Sequence, residues 1–474
     1  MRLRLTILAA AVLMGAVMVG LMRAGHADGV DDYLKAQMAA RHIPGLSVAV
    51  VQNGKVVKAQ GYGLSDTAAK TAATADTVYQ IGSLTKQFTA TAILTLMQQG
   101  KVGIDDPVSK YVDGTPAAWS AITVRELLNQ TSGIPNYREA LVDSLDAAPK
   151  DYTAAQVIAM ADAKPLQFKP GTQYAYSNTN YHLLGMIVEK VSGRSYGDYM
   201  QQTFFGPLGM TQTRMERPGL ALPNLASGSL WDGKTVRSSS IAFSPTVDFG
   251  DGGIVSTVID LAKWNAALDG DALLNADSKR LLWTPPTLAS GTATQYASGW
   301  LVTSAAGHNL LWHNGATIAG FTGAIFKFPS DKLTLIVLTN SLDIPGTQTR
   351  LPLYSPGLGL AKLYLPDMAK EDQGIPDTDP KTAALLKIVL GQIASGTLDK
   401  SLFTPAFQAA LTPAAVNPAH DLLAPLGPMT SLTLLRRDSD GSALYQALYG
   451  KTVVDWLIAV DKDHKIAGLR PLPQ

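Results

Sequence analysis

The sequence predicts a mixed α/β fold of the α+β type: an antiparallel sheet flanked by helices, a helical region, and a small C-terminal α+β domain. Three observations carry this. Short apolar, turn-bounded runs occur near both ends of the main body, at Leu46 to Val51 and between Trp300 and Leu338, with a helix-rich stretch between them. Two junctions between runs, Asn53-Gly54 and Pro329-Ser330-Asp331-Lys332, carry hairpin chemistry. A polar, proline-bounded stretch from Pro366 to Pro380 then sets off the last part of the chain. One sheet shared by both ends of the body, with helices on its faces, is the economical packing.

Taken in order, the chain opens like an exported protein. Arg2 and Arg4 form a positive start, Leu5 to Leu21 is almost wholly apolar, and Gly25-His26-Ala27 offers a small-x-small cleavage site. Residues 1–27 therefore read as a signal peptide, and the mature chain as starting at Asp28. The apolar run is long for a signal core and just short for a span, so an uncleaved anchor is the alternative; either way the body is exported. The chain has no cysteine, which excludes disulfides, thiolate catalysis and zinc–thiolate sites. An exported chain without disulfides fits the bacterial periplasm or a secreted bacterial enzyme. A net charge of +1 with no basic or acidic block argues against a nucleic-acid partner. It argues equally against a membrane contact beyond the N-terminal segment. The expected partner is a small-molecule or peptide substrate.

The body, residues 28–365, begins with the hairpin Leu46 to Val51 and Lys55 to Gly61. A helix from Leu84 to Gln99 follows, closed by Gly100. Ser109 to Leu268 mixes helical periodicity with Gly- and Pro-rich loops, and ends in a helix over Asp260 to Leu268 with Ser256 or Thr257 near its start. Strands return at Trp300 to Thr303, Leu310 to Trp312, Phe321 to Phe328 and Leu333 to Leu338. Residues 366–380 read as a linker, and residues 381–474 as an accessory domain with a helix over Lys381 to Ile393 and four later strands.

Chemistry concentrates in three places. Ser83 and Lys86 stand three apart at the start of the first long helix, so both side chains lie on one face, where the amine can hydrogen-bond the hydroxyl and activate it. By itself this pair is also what a capping serine and a solvated lysine would look like. Tyr176 and Asn178 lie two apart in a polar loop and share a side if the segment is extended. A phenol near an ammonium can have a depressed pKa and act as general base. His313-Asn314-Gly315 follows a short strand, where a ring donor and a bare backbone can meet a substrate. Gly193-Arg194-Ser195-Tyr196-Gly197 matches the glycine-x-serine-x-glycine elbow pattern, but no strand precedes it, so it reads as a turn between helices. No phosphate-binding glycine loop or metal-ligand spacing occurs, so no cofactor and no metal are expected.

The order serine-x-x-lysine, tyrosine-x-asparagine, histidine-x-glycine resembles the serine β-lactamase and penicillin-binding-protein superfamily. Within it the chain is most similar to the class C β-lactamase-like group, which includes D-Ala-D-Ala carboxypeptidases, D-aminopeptidases and esterases. Leu127 to Pro135, Gly185 to Gly193, Pro207 to Met210 and Gly252 to Thr257 add to the likeness. It implies a β-lactamase/transpeptidase-like fold over about Asp31 to Leu365. It also implies roles: Ser83 as acylated nucleophile, Lys86 as its proton partner, Tyr176 as general base and Asn178 as holder of the acyl-side amide. The backbone amides of Ser83 and Ala316 would form the oxyanion hole, and His313 and Gly315 would border the substrate. One departure matters. Many relatives carry lysine where this chain has His313, and that lysine helps bind a substrate carboxylate. The expected function is therefore hydrolysis of an ester or amide through an acyl-enzyme, with a D-amino-acid peptide or a β-lactam among the substrates considered. The alternative is a penicillin-binding or peptide-sensing module with negligible turnover.

Overall fold

The first hairpin of the chain forms as its sequence dictates. Strands Gly45–Gln52 and Lys55–Asp66 are joined by Asn53 and Gly54, both in the left-handed region at φ 53° and 73°, the conformation a tight two-residue hairpin turn requires. The structure is a computed structural model that describes residues 29–141, 151–216, 222–239, 249–343, 353–438, 441–450 and 452–471. The expected signal peptide and the start at Asp28 lie outside the described residues. Among the described residues, no helix is long and apolar enough to cross a membrane.

The chain divides into two units, residues 1–353 and 354–474. In the first, Gly45–Gln52 pairs antiparallel with Leu333–Thr339, in register Leu46 to Thr339 through Gln52 to Leu333. The sheet runs on through Phe321–Phe328, His308–Thr317, Trp300–Ala305 and the short Tyr296–Ala297, while Lys55–Asp66 and Thr71–Ala72 extend the other side, giving eight strands. Every residue of Phe321–Phe328 and of Leu333–Thr339 is buried. Strands covered on both faces read as unbroken apolar runs rather than alternating ones. Helix Val258–Asp269, capped by Thr257, packs on the strands Gly45–Gln52 and Leu333–Thr339.

Helix Thr85–Gln98 is buried nearly all round, and packs against helix Asn178–Ser192. Its threonines would be costly there without partners. Thr91 and Thr95 return their hydroxyls to the carbonyls of Gln87 and Thr91, both at 2.8 Å, the back-bonding open to Ser and Thr inside helices. Between Asn178–Ser192 and the next helix, Gly193 turns the chain in the left-handed region at φ 66°, and Ser195 caps Tyr196–Met200. The glycine-x-serine-x-glycine pattern is thus a helix–helix turn.

The second unit has its own core, with Trp456, Tyr445, Leu386, Val389, Leu390 and Phe403 buried together. Helices Pro380–Ser395 and Pro413–Leu423 precede a four-stranded antiparallel sheet, in the order Ser431–Arg437, Ala443–Tyr449, Thr452–Val460, Ile466–Pro471. The stretch expected as a linker, 366–380, is structured in this unit. A 3-10 helix covers Pro366–Gln373, the Ile375 amide donates to the Leu434 carbonyl, and Asp377 accepts from Arg437 and from the Tyr445 hydroxyl. Its polarity reflects hydrogen-bonding groups that find partners on the neighbouring strands, not a solvated tether.

Candidate active site

Ser83 lies on the 3-10 turn Gly82–Leu84, which runs directly into Thr85–Gln98. Strand His308–Thr317 crosses immediately beside this turn, and two glycines make the approach possible. A Cβ on Gly315 would stand 1.9 Å from the Ile81 carbonyl oxygen, and one on Gly82 would stand 2.8 Å from the Ala316 nitrogen. The Ala316 backbone is thereby brought against the serine turn.

Three groups converge on Ser83. The buried Lys86 Nζ donates to Ser83 Oγ at 3.0 Å, to Asn178 Oδ1 at 2.8 Å and to the Asp251 carbonyl oxygen at 2.7 Å. Three acceptors match the three hydrogens of an ammonium. The Tyr176 hydroxyl donates to Ser83 Oγ at 2.9 Å, and the Lys86 Nζ stands 4.9 Å from the Tyr176 ring centre. Tyr176 and Asn178, the first residue of Asn178–Ser192, thus reach the same serine–lysine pair.

The expected depression of the Tyr176 phenol does not occur. Burial pushes it above its ordinary value, and this outweighs the hydrogen bond to Ser83. At rest, then, Ser83 Oγ faces two donors.

His313 differs from its expected place as well. It is 2 % exposed, and both ring nitrogens are engaged within the protein. Nδ1 faces the Asn314 carbonyl oxygen at 2.5 Å, which can only accept, so Nδ1 carries the proton. Nε2 is then left to accept from the Tyr296 hydroxyl at 3.2 Å. Burial, together with the nearby Lys86 ammonium, lowers its pKa from 6.5 to about 3. The ring is neutral, and it lies beside Tyr176, 6.2 Å away between ring centres.

Sequence reading missed three supports. Gln130 holds the Tyr176 loop on both sides: its carbonyl accepts from the Ala175 amide at 3.0 Å, and its Oε1 accepts from the Ser177 amide at 3.0 Å. It lies within the Leu127 to Pro135 motif, which was the available signal. Tyr296 stands in the short strand Tyr296–Ala297, ahead of the first later strand expected at Trp300, and no motif marked it. Asp251 is fully buried, and its Oδ2 accepts from the Tyr137 hydroxyl and from Arg138 Nη2, both at 3.0 Å. Burial raises its pKa, but the Arg138 guanidinium and the Lys86 ammonium outweigh this and hold the carboxyl below its ordinary range. A lone charge between Gly250 and Gly252 was the only hint.

A family model described as Beta-lactamase matches residues 30–354. Protein flp of Staphylococcus aureus (strain COL) is 33% identical over 322 residues, covering 66% of this chain. That match spans 62% of flp's own length. The octameric penicillin-binding protein homologue from Pyrococcus abyssi shares the fold at TM-score 0.61 and 25% identity, over 94% of this chain and 90% of that one. A D-stereospecific amidohydrolase from Streptomyces sp. aligns at TM-score 0.55 and 27% identity, over 64% of this chain and 91% of that one. A family match over more than half the chain, on an antiparallel sheet that sets a strand against a serine–lysine helix start, places the chain in the serine β-lactamase and penicillin-binding-protein superfamily.

Proposed function

We propose that this protein is an exported serine hydrolase that cleaves a neutral ester or amide, D-amino-acid amides and peptides included, through an acyl-enzyme on Ser83. The observation that carries the reading is the position of Ser83 Oγ, 3.0 Å from Lys86 Nζ and 2.9 Å from the Tyr176 hydroxyl. The likeness to a D-stereospecific amidohydrolase supports the amide class, and the leader-like first 27 residues support export.

In this reading the Lys86–Tyr176 pair first loses one proton to solvent. Ser83 Oγ then attacks the substrate carbonyl carbon while its own proton passes to the pair. The negative charge gathering on the carbonyl oxygen is met by the backbone amides of Ser83 and Ala316, and losing one such donor costs about 3–4 kcal/mol of transition-state stabilisation. Collapse breaks the C–O or C–N bond, and the leaving group takes the proton back from Tyr176. Water then attacks the acyl-enzyme, gives a proton to Tyr176 and releases the acid, and that proton returns to Ser83. Asn178 orients the acyl-side amide from its remaining side-chain nitrogen, its oxygen being held by Lys86.

A neutral His313 supplies no cation for a substrate carboxylate, so penicillins and peptides with a free carboxylate on the leaving side gain nothing there. The test is to incubate the full chain with p-nitrophenyl butyrate, a D-amino-acid amide and a fluorescent penicillin. Multiple turnovers of the ester or amide, abolished in Ser83→Ala, are expected. Stable penicillin labelling of Ser83 with no turnover of either substrate would instead establish the penicillin-binding alternative.

A further inference from the structure

Asp251 and Arg138 are used by no step above, yet they adjoin the catalytic amine. The Asp251 carbonyl is one of the three acceptors of Lys86, at 2.7 Å. Its carboxylate, on the same residue, is fully buried and paired with a guanidinium whose side chain is 25% exposed. A buried pair of this kind is costly to desolvate and contributes little net stability, so its presence beside an ammonium calls for another explanation. We propose that Asp251 and Arg138 form an electrostatic setting device: the buried carboxylate raises, and the guanidinium lowers, the pH at which the Lys86–Tyr176 pair gives up its first proton.

The geometry carries this. Asp251 is anchored by four fixed contacts: its own carbonyl to Lys86, Oδ2 to the Tyr137 hydroxyl and to Arg138, and Oδ1 to the Phe249 amide at 3.3 Å. The carboxylate therefore cannot swing away when the charge of Lys86 changes. The ionisable groups facing it are Lys86 on the serine helix, Tyr137 and Arg138 on the turn Tyr137–Ala140, Tyr176 before helix Asn178–Ser192, His182 on that helix at 3.9 Å, and Tyr196 on the following helix. An anion favours the protonated form of the ammonium and disfavours the phenolate, so both members of the pair are pushed the same way. The two groups titrate as a unit, and the sign of the effect does not depend on which of them yields the proton.

Asp251 and Arg138 are positioning residues, and opposite shifts distinguish this from a structural role. The inference rests on the acyl-serine reading, so the readout is the rate of labelling of Ser83 by a fluorophosphonate probe across pH, which requires only a nucleophilic serine. Loss of labelling in Ser83→Ala first verifies the probe; equal labelling there would sink the acyl-serine reading itself. Asp251→Asn is expected to move the rising limb of the profile to lower pH by about 1 unit or more, the range for an opposite charge close to a titrating group. Arg138→Gln, which leaves the carboxylate unneutralised, is expected to move the limb to higher pH. If Asp251→Asn does not fold, Arg138→Gln alone carries the test. A limb that stays in place, or that moves in the same direction in both variants, overturns the proposal.

Discussion

In the proposed mechanism Tyr176 serves in turn as base and as acid. Its phenol donates to Ser83 while burial holds its pKa above the ordinary value. A base that is protonated at rest makes hydrolysis climb with pH from neutrality upward, and the slope of kcat/KM against pH for p-nitrophenyl butyrate checks this. Tyr176→Phe keeps the ring against Tyr296 and His313, at 6.0 and 6.2 Å, and removes only the hydroxyl. It is expected to cost 10²-fold or more in kcat, about the lower end for a general acid–base group, with the melting temperature unchanged. Unaltered kcat would remove Tyr176 from the mechanism. Ser83, Lys86, Tyr176 and Asn178 stood out in the sequence through the order of the three motifs, since the spacing of either pair by itself is not distinctive. The charge state of His313 was not legible. It depends on burial and on the Lys86 ammonium, which surround the ring only once strand His308–Thr317 has packed beside the turn Gly82–Leu84. Asp251 was illegible for the same reason, since Tyr137 and Arg138 come from a distant turn with no local pattern to connect them.

At the scale of elements, the proposed mechanism depends on the close approach of strand His308–Thr317 to the turn Gly82–Leu84. Gly315→Ala places a methyl 1.9 Å from the Ile81 carbonyl oxygen and about 3 Å from the Leu84 nitrogen. Backbone cannot yield as a flexible side chain can, so the strand must move off the turn. A displacement near 1 Å between reacting groups costs about 10²-fold. Gly315→Ala is therefore expected to lose at least that in kcat against p-nitrophenyl butyrate, while far-ultraviolet circular dichroism stays that of the parent. Activity within a few-fold of the parent would show that the approach is not needed. The sequence marked the glycine through its histidine-x-glycine pattern. It ended the strand at Trp312, five residues before the observed end at Thr317. Asn and Gly are poor strand formers, and only pairing with Phe321–Phe328 keeps them extended.

For the whole molecule, burial of ionisable groups shapes the response to acid. His313 in the folded chain has a pKa of about 3, against 6.5 for an ordinary histidine. Between those values the unfolded chain binds a proton that the folded one does not, so stability falls as pH drops from 6.5 towards 3. The Asp251 carboxyl, held below its ordinary value of 3.8, adds a loss of the same sign on further acidification. Denaturant midpoints are expected to decline steadily over that range, and His313→Gln to flatten the upper part of the decline. A midpoint independent of pH from 6.5 to 4 would show that His313 takes up its proton without unfolding. At this scale the sequence revealed the sheet built from both ends of the body and the separate C-terminal core. It misjudged 366–380, because a polar stretch that bonds to neighbouring strands and one that faces water have the same composition.

The pairing of Gly45–Gln52 with Leu333–Thr339 has a consequence in time. The sheet against which Ser83 is set cannot close until the chain has been made past Thr339, so nearly the whole body must be synthesised before the nucleophile exists. A chain shorter than that lacks the strand pairing that completes this sheet. On the proposed hydrolase reading, activity waits for the completed body.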